Sequence, residues 1–243
     1  MRLHGRVALV TGAGRRVGRA LAVGLGAEGA RVAVHYNGSA AGAQETAEQI
    51  VRAGGEARVF QANLSDAEAP ARLVDDVAAA FAGLDVLVNS AAVMHRTPIG
   101  AVSVGEWDAM FALNLRAPFF AAQAAAGHMR NNGGAIVNIA DLAAFETWPG
   151  YVPHGISKAG VVQMTRALAH ALAPTIRVNA VAPGAVMLPD DWDASAAERL
   201  ASTTPLRRLG APSDVVGAML YLLHADYVTG ETIVVDGGRH VRR

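Results

Sequence analysis

The 243-residue chain contains no cysteine, and of its 21 lysine and arginine residues only one, Lys158, is a lysine. Without cysteine there is no disulfide framework, no thiolate nucleophile and no cysteine metal site. No histidine or carboxylate spacing resembles a metal site either, since no H-E-x-x-H and no clustered carboxylates occur. Aromatic residues are sparse at 5%, and the 17% of charged residues sum to a formal net charge of zero. Bulk attraction to nucleic acid or to an anionic membrane is therefore not expected. No apolar run reaches the roughly 18 residues of a membrane span. A strand pattern begins within "MRLHGRVALVTG", which leaves no room for a signal peptide. A soluble, cytoplasmic protein is the expectation.

The near-absence of lysine is informative. An arginine- and alanine-rich chain of this kind keeps lysine where arginine cannot substitute, and lysine differs in being a compact charge whose pKa can be moved. The one lysine lies in "GYVPHGISKAG" (150–160), which marks that stretch as a candidate for chemistry.

What the chain does have is apolar residues, at 52%, enough for one sizeable core. Near-continuous apolar runs at 6–12, 31–36, 56–64, 84–92, 134–141, 175–184 and 231–238 suit strands buried on both faces. Helix-length segments rich in Ala and Leu lie between them, at about 15–29, 39–54, 66–82, 103–131, 151–173 and 211–224. This alternation predicts a single α/β domain over 1–243, a Rossmann-type doubly wound sheet of seven parallel strands flanked by helices. Residues 186–208, "VMLPDDWDASAAERLASTTPLRR", break the rhythm just past a strand's carboxyl end. A substrate lid would sit there, and a plain surface excursion is the alternative.

"VTGAGRRVGRA" follows the first strand and opens the first helix, with Gly12, Gly14 and Gly18 permitting a tight turn onto a helix N-terminus that attracts a pyrophosphate. Thr11-Gly12 with Gly18 resembles the T-G-x-x-x-G-x-G turn of the short-chain dehydrogenase/reductase family. "NSAA" (89–92) resembles its N-N-A-G, Asn114 its central asparagine, "APG" (182–184) its P-G segment and "VTGETIVVDGG" (228–238) its C-terminal strand. Within that family the pteridine reductase branch is the most similar, through Arg16 in place of the middle glycine, "HYNGSAA", Asp141 and "TPLRRLGAPSDV".

The resemblance implies a dinucleotide held by Gly12, Arg15, Arg16, Val17 and Gly18, by Asn63 and Leu64 against adenine, and by Asn89 and Ala91 at the nicotinamide ribose. Pro183, Gly184 and Val186 border the carboxamide, and Lys158 binds the ribose. "VAVHYNGS" ends the second strand without the carboxylate that an NAD-specific site uses. His35, Asn37 and Ser39 can instead donate to a 2′-phosphate, and arginine at a helix N-terminus opposes the dipole unless an anion is near. NADP(H) is the expected cofactor.

The family's catalytic tyrosine, lysine, serine and asparagine map onto His154, Lys158, Asp141 and Asn114, so two of the four are changed. A carboxyl group can deliver a proton or balance a cation where serine only hydrogen-bonds. Histidine offers both protonation states near neutrality. An Asp–His pair suits a basic acceptor such as a C=N bond, which the pteridine reductase branch reduces. The aromatic that stacks a pterin in that branch is here Met94, and a pterin-binding serine is Ala92, so a different substrate is expected. Tyr151, one turn before His154, is an alternative proton donor. Trp107, Trp148 and Trp192 either line the pocket or pack ordinarily.

These readings converge on an NADPH-dependent reductase of a small, cyclic imine, iminium or carbonyl compound in specialised metabolism. The alternatives are a non-redox acid–base enzyme on the same fold, a dihydropteridine-type reductase, and a binding protein that has lost catalysis. The resemblance also implies a homotetramer built through helices 103–131 and 151–173, with the strand at 231–236 forming a second interface. The tail "GGRHVRR" either reaches a neighbouring active site or frays.

Overall fold

The computed structural model describes residues 1–188 and 193–241. Seven strands, β1 (Val7–Val10), β2 (Arg31–Tyr36), β3 (Glu56–Gln61), β4 (Val86–Asn89), β5 (Gly134–Ile139), β6 (Ile176–Pro183) and β7 (Thr232–Val235), form one sheet. Its order is β3-β2-β1-β4-β5-β6-β7, and every pairing is parallel. The chain winds outward from β1 to β3, then restarts at β4 on the other side of β1. That reversal opens a crevice at the carboxyl ends of β1 and β4, where doubly wound sheets bind ligands.

The helices are α1 (Arg16–Ala27), α2 (Ala40–Arg52), α3 (Ala69–Phe81), α4 (Val104–Phe111), α5 (Ala117–Met129), α6 (Val152–Leu172), α7 (Ala194–Thr203) and α8 (Pro212–His224). Leu21 and Leu25 of α1, Ile50 of α2 and Met219 and Leu222 of α8 pack with Val10, Val34 and Val88 on one face of the sheet. Leu73 and Val77 of α3 and the alanines of α5 pack with Leu9, Ala33, Leu87 and Ile136 on the other. Adjacent strand residues thus serve opposite layers, which explains strands that read as continuous Val/Ile runs. Each large apolar side chain buried here contributes about 1.5–3 kcal/mol. Among the described residues, no helix is long and apolar enough to cross a membrane.

Two expectations are adjusted. The single helix at 103–131 is interrupted by a π-helical turn over Ala112–Arg116. Pro118, in the first turn of α5, has no N–H to give the Asn114 carbonyl four residues back, so the α ladder shifts register there. The strand expected over 56–64 ends at Gln61, and the following turn is closed by Asn63. The 186–208 excursion contains α7, which Asp193 caps through the Ala196 N–H. Trp192 lies outside the described residues, as does the rest of 189–192.

Candidate functional site

The turn after β1 is held from below and from the side. Thr11 Oγ1 accepts from the Ser90 and Ala91 amides at the end of β4, at 2.9 and 3.0 Å. Gly12 has φ +68, and a Cβ there would meet the Ala91 Cα at 2.9 Å. A Cβ on Gly18 would lie 2.2 Å from the Gly12 carbonyl oxygen, so only glycine lets α1 start against the turn. Gly12 and Gly18 thus bare the first N–H groups of α1, which have no partners within the helix. This cradle, which side chains would fill, fits a pyrophosphate.

Arg16 holds the place of the family's middle glycine at φ +52, a left-handed conformation worth about 1–2 kcal/mol of strain for an L-residue. Its guanidinium donates to the carbonyls of Met187 and Leu188, at 2.6 and 3.2 Å, and so ties the turn to the loop after β6. Arg15 and Asn37 are exposed and Ser39 is half-buried. Ser39 packs against Gly14, which brings the end of β2 beside the turn, and no carboxylate stands in the segment from Tyr36 to Ser39.

His35 does not join them. It lies inside β2, in register with Phe60, and is buried. Its Nδ1 accepts from the Gly12 amide at 3.0 Å, and its Nε2 faces the Ala62 carbonyl at 3.1 Å. With both nitrogens committed to backbone, it has no N–H left for a phosphate, which corrects the expectation from sequence. Leu64 and Asn89 are corrected in part. The Leu64 side chain belongs to the core, so it can meet a cofactor only through its backbone, and the Asn89 amide nitrogen donates inward to Asn138 and Pro118, which leaves its oxygen and its backbone for a cofactor. Asn63 keeps an exposed position, its amide bonded to Asp66 and Ser65. Val17, Ala91, Pro183, Gly184 and Val186 all lie on the turn or at the ends of β4 and β6. Gly184 packs tightly on Asp236 and Leu142.

The structure brings Asn114, Asp141, His154 and Lys158 together at the ends of β4 and β5. Asp141 follows β5, and its Oδ1 accepts from the Ala143 amide at 2.8 Å. His154, in the first turn of α6, is 2% exposed, and its Nε2 stands 3.7 Å from Asp141 Oδ2. Its Nδ1 lies 3.3 Å from the Val93 carbonyl, an acceptor, so the proton of the neutral ring sits on Nδ1. Nε2 is buried without a hydrogen-bond partner. In the neutral ring it is therefore an acceptor, and it donates only as imidazolium, with Asp141 opposite as counter-ion.

One turn on, Lys158 is buried and its Nζ donates to the Ile139 carbonyl at 2.8 Å. Burial lowers its pKa to about 8, with the Asp141 charge working the other way. Asn114 reads the same peptide as His154, accepting from the Val93 amide and donating to the Val93 carbonyl, both at 2.9 Å. It also donates to Ser157, whose hydroxyl donates to the His154 carbonyl. Val93 and Ser157 escaped sequence reasoning. Val93 acts through its backbone, which leaves no sequence signal, whereas the serine preceding the sole lysine could have been noticed.

Tyr151 occupies the N-cap position of α6 without a side-chain cap bond and packs edge-on against Trp148, 6.3 Å away. The Trp148 indole donates to Glu146, which faces Arg239 of the C-terminal segment at 3.5 Å. Residues up to 241 therefore contact their own chain, and the tail's last two residues lie outside the described ones. Trp107 stacks on Phe111 at 4.2 Å, as ordinary packing on α4. The segments entering the cluster carry exposed apolar side chains, Met94, Phe145 and Met187. A cavity of about 550 Å³ beneath 204–210 borders the site through Val186 but includes none of the four catalytic candidates. Among the described residues there is no group of metal ligands.

The family model described as Enoyl-(Acyl carrier protein) reductase matches residues 12–240. The 3beta-hydroxysteroid dehydrogenase 1 of Eggerthella lenta is 37% identical over 97% of this chain and 94% of its own. A dehydrogenase/reductase from Sinorhizobium meliloti 1021 superposes with a TM-score of 0.90 at 37% identity, covering 97% of this chain and 95% of the other. FolM alternative dihydrofolate reductase 1 from Brucella canis, complexed with NADP, superposes with a TM-score of 0.94 at 32% identity, covering 100% and 96%.

Proposed function

The chain belongs to the short-chain dehydrogenase/reductase family, and on that premise we propose that it is an NADPH-dependent reductase of a small, cyclic C=N or C=O compound. The observation that carries this is the buried, unpartnered His154 Nε2 facing Asp141 Oδ2. The bound dinucleotide supplies the hydride. Arg15, Asn37 and Ser39 would hold its 2′-phosphate end, the Gly12–Gly18 turn its pyrophosphate, and Lys158 its ribose. NADP in the superposed dihydrofolate reductase supports that choice.

Within the chain, the Nδ1–H bond to Val93 fixes the ring so that Nε2 faces the reacting bond. Protonated, it gives its proton to the nitrogen or oxygen of that bond, and Asp141 stabilises the imidazolium before transfer. Asn114 and Ser157 hold Val93 and the first turn of α6, so the imidazole needs no reorganisation. Met94, Phe145 and Met187 present an apolar entrance, which suits a compact hydrophobic substrate better than a highly charged one. The likeness to a dihydrofolate reductase favours C=N, and that to a hydroxysteroid dehydrogenase favours the carbonyl. Asp141, together with the FolM likeness, supports placement near the pteridine reductase branch. The test is NADPH oxidation by purified protein across cyclic imines and matched ketones. Tight NADPH binding without oxidation by any of them would favour the acid–base alternative.

Assembly is also proposed. The face formed by α4, α5 and α6 exposes Trp107, Phe119 and Phe120 and holds a groove of about 620 Å³ lined by Phe111, Leu115 and Met164. This face is the proposed tetramer contact.

A further inference from the structure

We infer that His35 is a positioning residue for the dinucleotide turn, holding the Gly12 peptide in its binding orientation through a bond that only the neutral imidazole can make. This rests on the dinucleotide reading of that turn but on none of the catalytic assignments. The contact is long-range in sequence and made through a single ring. Nδ1 accepts from the Gly12 amide, and Nε2–H donates to the Ala62 carbonyl beyond β3. The His35 carbonyl accepts from the Ala13 amide at 2.8 Å. One residue thus joins the turn after β1 to the end of β3 across β2.

Gly12 is hemmed in on both sides of the Thr11–Gly12 peptide whose N–H His35 holds. Its carbonyl oxygen, in the next peptide, would lie 2.2 Å from a Cβ on Gly18, and a Cβ on Gly12 itself would meet the Ala91 Cα at 2.9 Å. Rotating the held peptide would displace the start of α1, whose N–H groups face the pyrophosphate. The Ala62 carbonyl requires a proton on Nε2 and the Gly12 amide requires a lone pair on Nδ1, which fixes both the tautomer and the charge. An imidazolium would set two N–H groups against each other at Gly12.

Charged groups nearby do not hold the ring in either state. On the turn, Arg15 is exposed and Arg16 reaches the Met187 and Leu188 carbonyls. After β3, Asp66 is bonded by Asn63. On β2, the neighbour Tyr36 is half-buried, and at the end of β4 Asn89 and Ala91 are uncharged. Burial is the largest influence on His35, opposed by the Ala62 carbonyl, and lowers its pKa to about 4. The neutral form therefore persists throughout ordinary pH.

The test uses the full chain with NADP⁺, which tolerates acid, and compares wild type with His35→Leu and His35→Asn. His35→Leu removes both bonds and should weaken NADP⁺ binding by roughly tenfold or more, the usual consequence of stranding a buried donor. Its turnover at saturating cofactor should stay within about twofold, because the catalytic cluster is untouched. His35→Asn places an oxygen near the Nδ1 position and should recover most of the affinity. In cofactor-free protein, the Gly12 amide resonance of wild type should titrate with a midpoint near 4, and that of His35→Asn should not. Unchanged NADP⁺ affinity in a folded His35→Leu, or a Gly12 amide indifferent to acid in wild type, overturns the inference. A wild type that binds no dinucleotide instead refutes the cofactor assignment, and the amide titration still decides whether the His35–Gly12 bond exists.

Discussion

Replacing His154 separates proton chemistry from architecture. His154→Ala removes the imidazole and leaves Asp141 Oδ2 facing empty space, with the Val93 carbonyl losing one of its two donors, since Asn114 remains. The expected loss in turnover is that of a positioned acid, about 10²–10⁴-fold, or roughly 2.7–5.5 kcal/mol of barrier. Cofactor affinity should change little, because Lys158 rests on the Ile139 carbonyl and not on the imidazole. His154→Asn is the sharper variant. Its amide can still donate to Val93 but cannot carry a proton, so it should be as slow as the alanine variant yet better folded. Asp141→Asn should cost a similar factor, and the double variant should be little worse than either single, as groups acting as one unit are. The assay is initial-rate NADPH oxidation with the best substrate, alongside cofactor titration by fluorescence and thermal melting. Turnover of His154→Asn within about threefold of wild type would refute the assignment and leave Tyr151 or Asp141 as the acid.

Arg15→Ala should weaken NADPH about tenfold and NADH much less, since the exposed guanidinium serves only the 2′-phosphate; equal losses in calorimetry would contradict that role. Fold stability should fall in acid through His35. Its folded pKa of about 4 lies below the ordinary 6.5, so the unfolded chain binds the extra proton and stability is lost as pH drops from 6.5 toward 4. The loss should be about 2 kcal/mol by pH 5, read by urea melts and absent in His35→Asn. His154→Tyr should lower native activity and destabilise by roughly 1–3 kcal/mol, since a larger ring must enter a site where the histidine is already buried; melting and turnover together check it. Light scattering at micromolar concentration should give a tetramer, and substituting both Phe119 and Phe120 with Ser should dissociate it; a wild-type monomer would refute the proposed contact.

What the sequence made legible and what it hid divide along a physical line. The parallel sheet was readable because the central strands β1, β4, β5 and β6 are buried on both faces almost throughout, which forces short, near-continuous apolar runs. The break at Asn114 was present as Pro118, four residues on, but only as a missing donor, and a missing donor does not say whether a helix will kink, end or pass through a π turn. His154 and Lys158 were readable because side-chain identity is what the chemistry requires. His35 was misplaced because strand alternation decides its direction. Ala33 packs on the α3 and α5 face while Val34 packs opposite, and His35 follows Ala33 inward to meet the Gly12 amide. Asn37 is the first residue beyond the strand, whose span of 31–36 the sequence did show, so it was the inward direction of the His35 side chain, and not the end of β2, that turned a structural histidine into an expected phosphate ligand. Val93 was invisible for a deeper reason. Its amide and carbonyl orient both Asn114 and His154, and any residue able to adopt that backbone would serve. The site thus rests on side chains that the sequence names and on peptide groups that only the fold can place.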